Sequence, residues 1–569
     1  MKKYYLNLLL LCLMVDAQSQ NITYRFNDPF KLPAGHKDIG FFGSEQDGFV
    51  QLSFDRGSDL ISQKINAGDY KVISEEKMDV SIFPKNFMNE VFVSLQGNNN
   101  YWFYSLFEKE KEREVLSVKK VDLKTNKFSS DSVRVLECNR LKGVSVVTGL
   151  YQSQIRDKYD FFPSADSSKL LVKYVLKERE ENEKIGIFVF DSKMQKIWGK
   201  EVDMPYPLNR TTIYGYYIDN KASVYILLKV KYEDWKDRKK DKLPFDYYEV
   251  LKLSNGSTIF QLTKLEFEDK FIQSVKMVGD LNNNVIIAGY YSHSAKNIDK
   301  AAMKKGDFFA TKKSIDGVFL QKLNANGGYD NIGTGFYEFS IDVITAYEKD
   351  PVMKDKEYEE DKDNAEIDYL DLDHVKFDEA GNIVIIGEQY HAFYREIRNS
   401  QTMQVKTRVN HYFEDIVAVK IGSDNAIKWV VKIPKNQRHM EVVNGQMSFQ
   451  AKKMNIWRIA DGKGSFGHKD MSYYHDVYNN EDYFYYMDNV KNANLLPDQK
   501  PVPHASGLGG YLMVAKISTD GKLTKVPVFD IKNEDVKVRP THFYKLSKNK
   551  IIGLCKIDEG YSILEIKLP

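Results

Sequence analysis

Residues His374–Phe393 read HVKFDEAGNIVIIGEQYHAF, and residues Glu414–Pro434 read EDIVAVKIGSDNAIKWVVKIP. In each stretch, two apolar-rich segments flank a polar turn, which is the pattern of a β-hairpin. Each segment has about the length of an ordinary strand, roughly 5–6 residues. The two hairpins together therefore predict one antiparallel sheet of four strands.

Similar pairs of hairpins recur along most of the chain, and their polar turns align. The aligned turns are Asp166–Ser168, Asp280–Asn283, Glu379–Asn382, Asn479–Glu481 and Ser547–Asn549. Repeated four-stranded units that close into a ring leave no long exposed sheet edge. The sequence therefore predicts an all-β fold, a β-propeller of four-stranded antiparallel blades with long inter-strand loops. We expect eight blades, with seven as the alternative.

Residues 1–19 are expected to be a secretory signal peptide. Lys2 and Lys3 form its charged region, and Leu8–Val15 is an apolar core too short to span a bilayer. Small residues precede the expected cleavage point, which follows Ser19. Lipidation at Cys12 is the alternative, although the leucines before Cys12 lack the small residue that such signals use.

Residues 20–569 are expected to form a single propeller. Its ring would close by pairing of the strand Ile22–Phe26 with a C-terminal strand. After cleavage the chain keeps two cysteines, Cys138 and Cys555, and the sequence does not decide whether they pair. No apolar run after the signal is long enough for a membrane helix, so no transmembrane segment is expected in the mature chain.

The overall charge is nearly balanced. The 569 residues include 82 Lys and Arg against 80 Asp and Glu, a net charge of +2. Nucleic-acid partners are therefore not expected, because they demand a basic surface. Tyr and Phe are abundant, with 36 and 33 residues, and both suit a half-buried strand surface.

Two segments carry the hairpin patterns best: Phe377–Gly387 has Gly and Asn in its turn, and Ile416–Trp429 has Asp and Asn in its turn and Trp in the outgoing strand. They resemble the loose propeller repeats of many secreted bacterial proteins. The segment Phe188–Val202, FVFDSKMQKIWGKEV, is also similar to a family of uncharacterised exported envelope proteins of Gram-negative bacteria. That resemblance implies a propeller and an exported location, and it implies no activity.

Four residues are candidates for a ligand-binding site. Asp371 and Asp373 alternate along an entering strand, so they are expected to share one face near the end of a sheet. Tyr390 and His391 stand at the end of the following strand. Ligands of propellers often bind at such sheet ends, so we expect these side chains at a binding face.

No catalytic or metal-binding residues are predicted. The chain lacks H-E-x-x-H, zinc-type Cys/His spacing and G-x-S-x-G. Asp361 and Asp363 have the spacing of calcium ligands, but no glycine follows to fold a loop around the ion. A solvated acidic loop is therefore expected there and no cofactor, with calcium as the alternative. Aromatic residues between Tyr473 and Tyr486 are expected mainly in the core.

A ring with long loops and no catalytic motif indicates a non-enzymatic, exported interaction module that binds an envelope protein. A carbohydrate-binding or carbohydrate-processing propeller is one alternative, favoured by paired carboxylates beside exposed rings in a central funnel. A permanent structural subunit of an outer-membrane assembly is another, favoured by a large apolar outer patch. The expected location is the periplasm or the outer membrane, with an extracellular location as the alternative.

Overall fold

A computed structural model gives the structure of the chain. It describes residues 22–32, 37–55, 59–78, 88–142, 158–177, 182–241, 245–267, 270–293, 314–324, 327–348, 366–398, 404–444, 471–505, 509–557 and 560–569. The predicted signal peptide, Cys12 within it, and the acidic pair Asp361 and Asp363 lie outside these ranges.

Antiparallel strands form most of the regular structure in the described ranges. The first strand, β1 (Thr23–Phe26), belongs to sheet 8 at the other end of the chain. Sheets 1 to 4 contain β2 (Lys37–Ser44), β3 (Gly48–Phe54), β4 (Leu60–Ile65) and β5 (Val72–Met78); β6 (Met88–Leu95), β7 (Asn99–Glu108), β8 (Arg113–Asp122), β9 (Lys127–Phe128) and β10 (Val133–Cys138); β11 (Tyr159–Pro163), β12 (Lys169–Val175), β13 (Asn182–Asp191) and β14 (Lys196–Pro207); and β15 (Thr211–Ile218), β16 (Val224–Lys231), β17 (Asp246–Leu253) and β18 (Gln261–Leu265).

The second half of the chain continues the same pattern. Sheets 5 to 8 contain β19 (Phe271–Gly279), β20 (Val285–Ser292), β22 (Gly317–Leu323) and β23 (Tyr329–Glu338); β25 (Leu370–Phe377), β26 (Ile383–Arg398), β27 (Val405–Ile421), β28 (Ile427–Ile433), β29 (Gln437–Asn444) and β32 (His504–Ala505); β30 (Tyr473–Tyr478), β31 (Glu481–Asp488), β33 (Tyr511–Ile517) and β34 (Leu523–Asp530); and β35 (Tyr544–Ser547), β36 (Lys550–Ile557), β37 (Gly560–Lys567) and β1. The short strands β21 (Ser314–Ile315) and β24 (Ile367–Asp368) pair with each other.

Helices are few and short in the described ranges. They are α1 (Trp235–Lys240), α2 (Ile341–Thr345) and two 3₁₀ turns, Val490–Asn492 and Pro540–His542. None of these helices has the length and apolarity needed to cross a membrane.

The hairpin turns explain why the aligned sequence positions recur. Asp378 Oδ1 accepts the backbone N–H of Ala380 (3.0 Å) and of Asn382 (2.8 Å). Gly381 between them has φ +78°, the left-handed conformation that glycine adopts without steric cost. Asp191 and Asp219 likewise accept hydrogen bonds from the backbone N–H groups two and four residues further along the chain. Aspartate at the start of these three turns therefore fixes their hairpin geometry.

Apolar side chains fill the interface between each sheet and the next around the ring. Facing pairs in sheet order are Leu52 and Trp102, Phe103 and Val172, Ile187 and Ile226, Leu227 and Ile287, Leu320 and Ile385, Ile386 and Phe484, Tyr485 and Leu564, and Ile563 and Phe49. The last pair joins sheet 8 to sheet 1. The β-propeller prediction is therefore confirmed.

Seven sheets follow a four-stranded antiparallel path. This number supports the alternative prediction of seven blades. The remaining sheet, sheet 6, is enlarged to six strands. It lies between sheets 5 and 7 and packs against both. The ring therefore holds seven regular blades and one enlarged sheet.

The two ends of the described chain meet in sheet 8. β1 pairs antiparallel with β37, with Thr23 opposite Lys567. Arg25 Nε donates to Glu565 Oε1 at 2.7 Å, and the Tyr70 hydroxyl of sheet 1 donates to the same carboxylate. Side chains from sheets 1 and 8 thus converge where the ring closes.

The two cysteines in the described ranges are both buried and unpaired. Cys138 lies between sheets 2 and 3, and Cys555 lies between sheets 7 and 8. Burial raises the pKa of each thiol to about 12. Both thiols therefore stay protonated and unreactive at neutral pH, and packing stabilises the ring without a disulfide between them.

A buried charge network also joins sheets 6 and 7. Lys420 Nζ lies 2.9 Å from Asp378 Oδ2 and 3.2 Å from Asp482 Oδ2. Asp482 Oδ1 lies 2.9 Å from His475 Nε2. All four side chains are almost fully buried. The charged groups are therefore stabilised by one another and not by water.

Replacing Lys420 with methionine tests this network. Lys420→Met leaves two carboxylates buried without their cation, so we expect the free energy of unfolding to fall by about 3–5 kcal/mol. Lys428→Met is the matched control, because Lys428 pairs with Asp424 on the exposed surface of the same sheet. Thermal unfolding measures both, and similar small shifts for the two variants would contradict the role of the network.

Candidate functional site

Asp371 and Asp373 lie on β25, the first strand of sheet 6. First strands of neighbouring sheets contact one another, as β15 contacts β19 and β19 contacts β25. In a propeller these strands surround the ring axis. The side chains of Asp371 and Asp373 are partly accessible there. The two predicted aspartates therefore lie close to the centre of the ring.

Asp373 is held by groups from two other sheets. Its Oδ2 accepts a hydrogen bond from the Tyr473 hydroxyl of sheet 7 at 2.8 Å, and its backbone oxygen accepts one from Lys276 Nζ of sheet 5 at 2.5 Å. Burial raises the pKa of Asp373 well above its ordinary value, and the nearby charges of Glu388 and Asp371 raise it further. The carboxyl therefore favours its neutral form.

Glu388 lies opposite Asp371 on the next strand and carries the ion pair of the site. Its Oε1 lies 2.5 Å from Lys435 Nζ, and its Oε2 accepts the Ser472 hydroxyl at 2.7 Å. Lys435 Nζ also donates to Gln437 Oε1 at 3.1 Å, and both of these side chains are fully buried. The site thus includes a fixed polar network that joins the ring axis to β29.

Tyr390 is a core residue of the enlarged sheet. It packs in an apolar cluster with Ala392, Val409, Phe413 and Met471. Its hydroxyl lies 2.9 Å from His411 Nδ1 within that cluster. Tyr390 therefore packs inside the enlarged sheet.

His391 faces the other way, because successive residues of a strand point to opposite faces. Its ring stacks on Tyr412, with centroids 4.7 Å apart and planes at 10°, and also contacts Tyr369 at 4.7 Å. Burial, together with the nearby charge of Arg438, lowers the pKa of His391 to about 4. The imidazole is therefore neutral at pH 7 and acts as a stacked ring.

Three strand segments extend beyond the regular part of sheet 6. They are residues 390–398 of β26, residues 405–413 of β27 and the whole of β29, which we call the extension. Arg398 pairs with Val405 at its far end, and Phe413 pairs with Gln437 at its base. Gln437 Nε2 also donates to the Met487 oxygen of sheet 7 at 2.7 Å. The extension is therefore anchored to the ring by a buried side chain.

One surface of the extension carries mostly large side chains that are aromatic, cationic or apolar, together with one asparagine. This outer face comprises His391, Phe393, Arg395, Arg408, Asn410, Tyr412, Arg438, Met440 and Val442. Met440 is 56% exposed and Val442 is 50% exposed. The Arg438 guanidinium lies 5.5 Å from the Tyr412 ring centroid. Rigid rings beside arginines and exposed apolar groups are typical of surfaces that bind proteins.

The described ranges contain no group of three or more His, Cys, Asp or Glu side chains suited to hold a metal ion. The acidic pair considered for calcium lies outside those ranges.

The sequence analysis did not find the residues that organise the site around Asp371 and Asp373. Glu388, Lys435 and Ser472 come from three separate segments, and only the folded ring brings them together. The sequence analysis also did not recognise that β26 and β27 are unusually long, at 16 and 17 residues, and this length is what produces the extension. Such strands exceed the usual range of about 3–10 residues.

No protein-family model matches the chain, and no curated protein matches it. Solved structures similar to it include the WD40 domain of SCAP from fission yeast, at 7% identity over 96% of this chain and 98% of that chain, with a TM-score of 0.33. Polysaccharide lyase Uly1 matches at 10% identity over 98% and 94%, with a TM-score of 0.32. The uncharacterised protein lmo1340 from Listeria monocytogenes matches at 9% identity over 78% and 95%, with a TM-score of 0.30. Similarity this low transfers no activity to this chain.

The raised pKa of Asp373 gives a pH test. The unfolded chain loses this proton near pH 3.9, whereas the folded protein holds it to higher pH. Stability from this residue is therefore fully present below pH 3.9 and is lost as pH rises towards the folded pKa. Asp373→Asn cannot ionise and so avoids that loss. We therefore expect the Tm of the variant, relative to that of the wild type, to increase as the pH is raised from 5 to 8.

Asp424→Asn is the control for this measurement, because the pKa of Asp424 is lowered by its hydrogen bond with Lys428. Its carboxylate stays charged in both states above pH 5, so the Tm difference from wild type should not vary with pH. A constant Tm difference for Asp373→Asn over the same range would contradict the burial of a neutral carboxyl.

Proposed function

We propose that this protein is an exported, non-enzymatic interaction module of the bacterial cell envelope, and that it binds a partner protein through the outer face of the extension. The observation that carries the proposal is the outer face itself. It stands on a rigid, anchored sheet and presents exposed Met440 and Val442 among aromatic rings and arginines.

The charges of this face define the chemistry of the partner. Arg395, Arg408 and Arg438 share the surface, and we identify no ion pair for any of them in the described ranges. A complementary protein surface would offer carboxylates to the guanidinium groups and an apolar side chain to Met440. The stacked ring of His391 supports Tyr412 and requires no protonation.

The polar network beneath the extension favours binding over catalysis. Glu388 is 5% exposed and is already engaged by Lys435 and Ser472. An ion-paired, buried carboxylate positions a structure and is poorly placed to exchange protons with a substrate. Asp373 is likewise engaged by Tyr473. The network therefore acts as the foundation of the extension.

Site-specific photo-cross-linking tests the surface. A benzoylphenylalanine residue in place of Met440 should give one discrete protein adduct in cells of the native host. The same residue in place of Ile259, which is 76% exposed in the turn between the third and fourth strands of sheet 4, is the control. That turn emerges on the opposite face of the ring, so we expect no adduct there.

The charge of the partner is tested in the same cells. Arg438→Glu should reduce the yield of the adduct at position 440 at least tenfold, because the partner is expected to supply a carboxylate. Arg438→Lys keeps the positive charge and should largely preserve that yield. An adduct that survives charge reversal, or equal adducts at both cross-linking positions, would contradict the proposal.

Export is a separate part of the proposal. The mature protein should begin at Gln20, because cleavage is expected after Ser19. Mass spectrometry of the intact protein purified from the envelope fraction measures this end directly. A protein that keeps Met1, or that carries a lipid on Cys12, would contradict the proposed signal.

A further inference from the structure

A pocket of about 470 Å³ lies at the junction of sheets 3 and 4. This volume is within the range of small-ligand sites, about 300–1,000 Å³. Part of its wall comes from the connection between β16 and β17, the second and third strands of sheet 4. The extension arises from the equivalent connection of sheet 6, so the pocket opens on the same face of the ring. Nothing in the proposed protein-binding surface uses it.

Lys264 supplies a positive charge to this pocket and lies opposite the buried Glu249 of the neighbouring strand. Its Nζ lies 4.8 Å from the ring centroid of Tyr247 and 5.1 Å from that of Tyr232. No Asp or Glu oxygen lies within ion-pair distance of it in the part of the chain that the structure describes. Arg210 is a second cation among the residues that line the pocket. The pocket therefore favours an anion.

Arg210 offers a guanidinium that is already oriented. Its Nε and Nη2 donate to the backbone oxygen of Lys231 at 3.2 and 3.0 Å. Its Nη1 donates to Glu233 Oε1 at 3.1 Å, and the Glu233 side chain is 87% exposed. An ion pair this exposed contributes little stability, so an anionic ligand can displace Glu233.

Tyr206 gives the pocket a fixed apolar wall. Its hydroxyl donates to Glu249 Oε2 at 2.7 Å, and Glu249 is only 5% exposed. Pro205 and Pro207 flank the tyrosine in the chain and line the same pocket. This wall fits the C–H face of a saturated ring, as aromatic and proline side chains do.

We propose that the pocket binds a uronate residue of an acidic polysaccharide. The uronate carboxylate would pair with Arg210 and Lys264, its hydroxyls would bond the tyrosine hydroxyls, and its apolar face would lie on Tyr206. A flat nucleobase fits less well, because Arg238 covers one face of Tyr232 and the rings of Tyr232 and Tyr247 are inclined at 50°. The inference is independent of protein binding by the extension.

Isothermal titration calorimetry of the purified mature protein tests the pocket with tri-galacturonate. Galactotriose is the neutral probe of matched size, and adenosine monophosphate is the anionic probe with a flat base. We expect binding of tri-galacturonate that weakens with added salt, and at least tenfold weaker binding of the other two probes. Equal or tighter binding of either one would overturn the sugar-acid assignment, and so would no binding of tri-galacturonate.

Four variants locate the binding. Lys264→Gln and Arg210→Gln should each weaken tri-galacturonate binding about tenfold or more, since each removes a hydrogen bond to a charged group. Glu233→Gln should strengthen binding, because it removes the anion that competes for Arg210. Lys252→Gln is the matched control, since Lys252 lies 5.5 Å from the Tyr225 ring in the same sheet but outside the pocket.

A thermal unfolding measurement on each variant confirms that it is folded. Binding that is unchanged in both Lys264→Gln and Arg210→Gln would overturn the site. Binding that falls equally in Lys252→Gln would show that the sheet as a whole, and not the pocket, determines affinity, and would also overturn it.

Discussion

The ring depends on the backbone pairing of β1 with β37, which completes sheet 8 with the first strand of the described chain. Every sheet has two broad apolar faces, and each face is buried only if a neighbour lies beside it. Without β1, sheet 8 would keep three strands, and the backbone N–H and C=O groups of β37 that now pair with β1 would be exposed. Arg25 and Tyr70 meet on Glu565 at this point, so side chains from both ends of the ring support the closure.

A closed ring also explains how sheet 6 can carry a long extension. Apolar packing against sheets 5 and 7 stabilises the regular part of sheet 6. Lys435 and Gln437 fix β29 against the ring through buried hydrogen bonds. The extension then rises from a rigid base. Surfaces carried on rigid elements lose little conformational entropy on binding, which favours recognition by His391, Tyr412 and Arg438.

The sequence predicted the parts of the fold that depend on local pattern. Asp378 and Gly381 mark a turn because their geometry needs only neighbouring backbone groups, so the hairpins and the propeller were evident from them. The sequence placed Tyr390 at the end of a strand, but it could not show the buried cluster around that side chain. Tyr390 packs against Met471, a residue 81 positions away.

The polar network could not be predicted for the same reason. Glu388, Lys435 and Ser472 are ordinary polar residues in their own segments, and their charges interact only after sheets 6 and 7 pack together. Asp373 illustrates the limit well. Its position on a strand was predictable, whereas the rise of its pKa comes from burial and from Glu388 on the next strand. The pocket at the junction of sheets 3 and 4 likewise combines residues from three strands and two connections.

The central claim is that the outer face of the extension is the surface that binds a partner protein. Hydrogen–deuterium exchange of the mature protein, alone and with the purified cross-linked partner, tests this claim most directly. The account predicts new protection in residues 391–398 and 438–442, and none in the turn at residues 254–260 on the opposite face. Protection confined to that turn, or to the outer strands of other sheets, would contradict it.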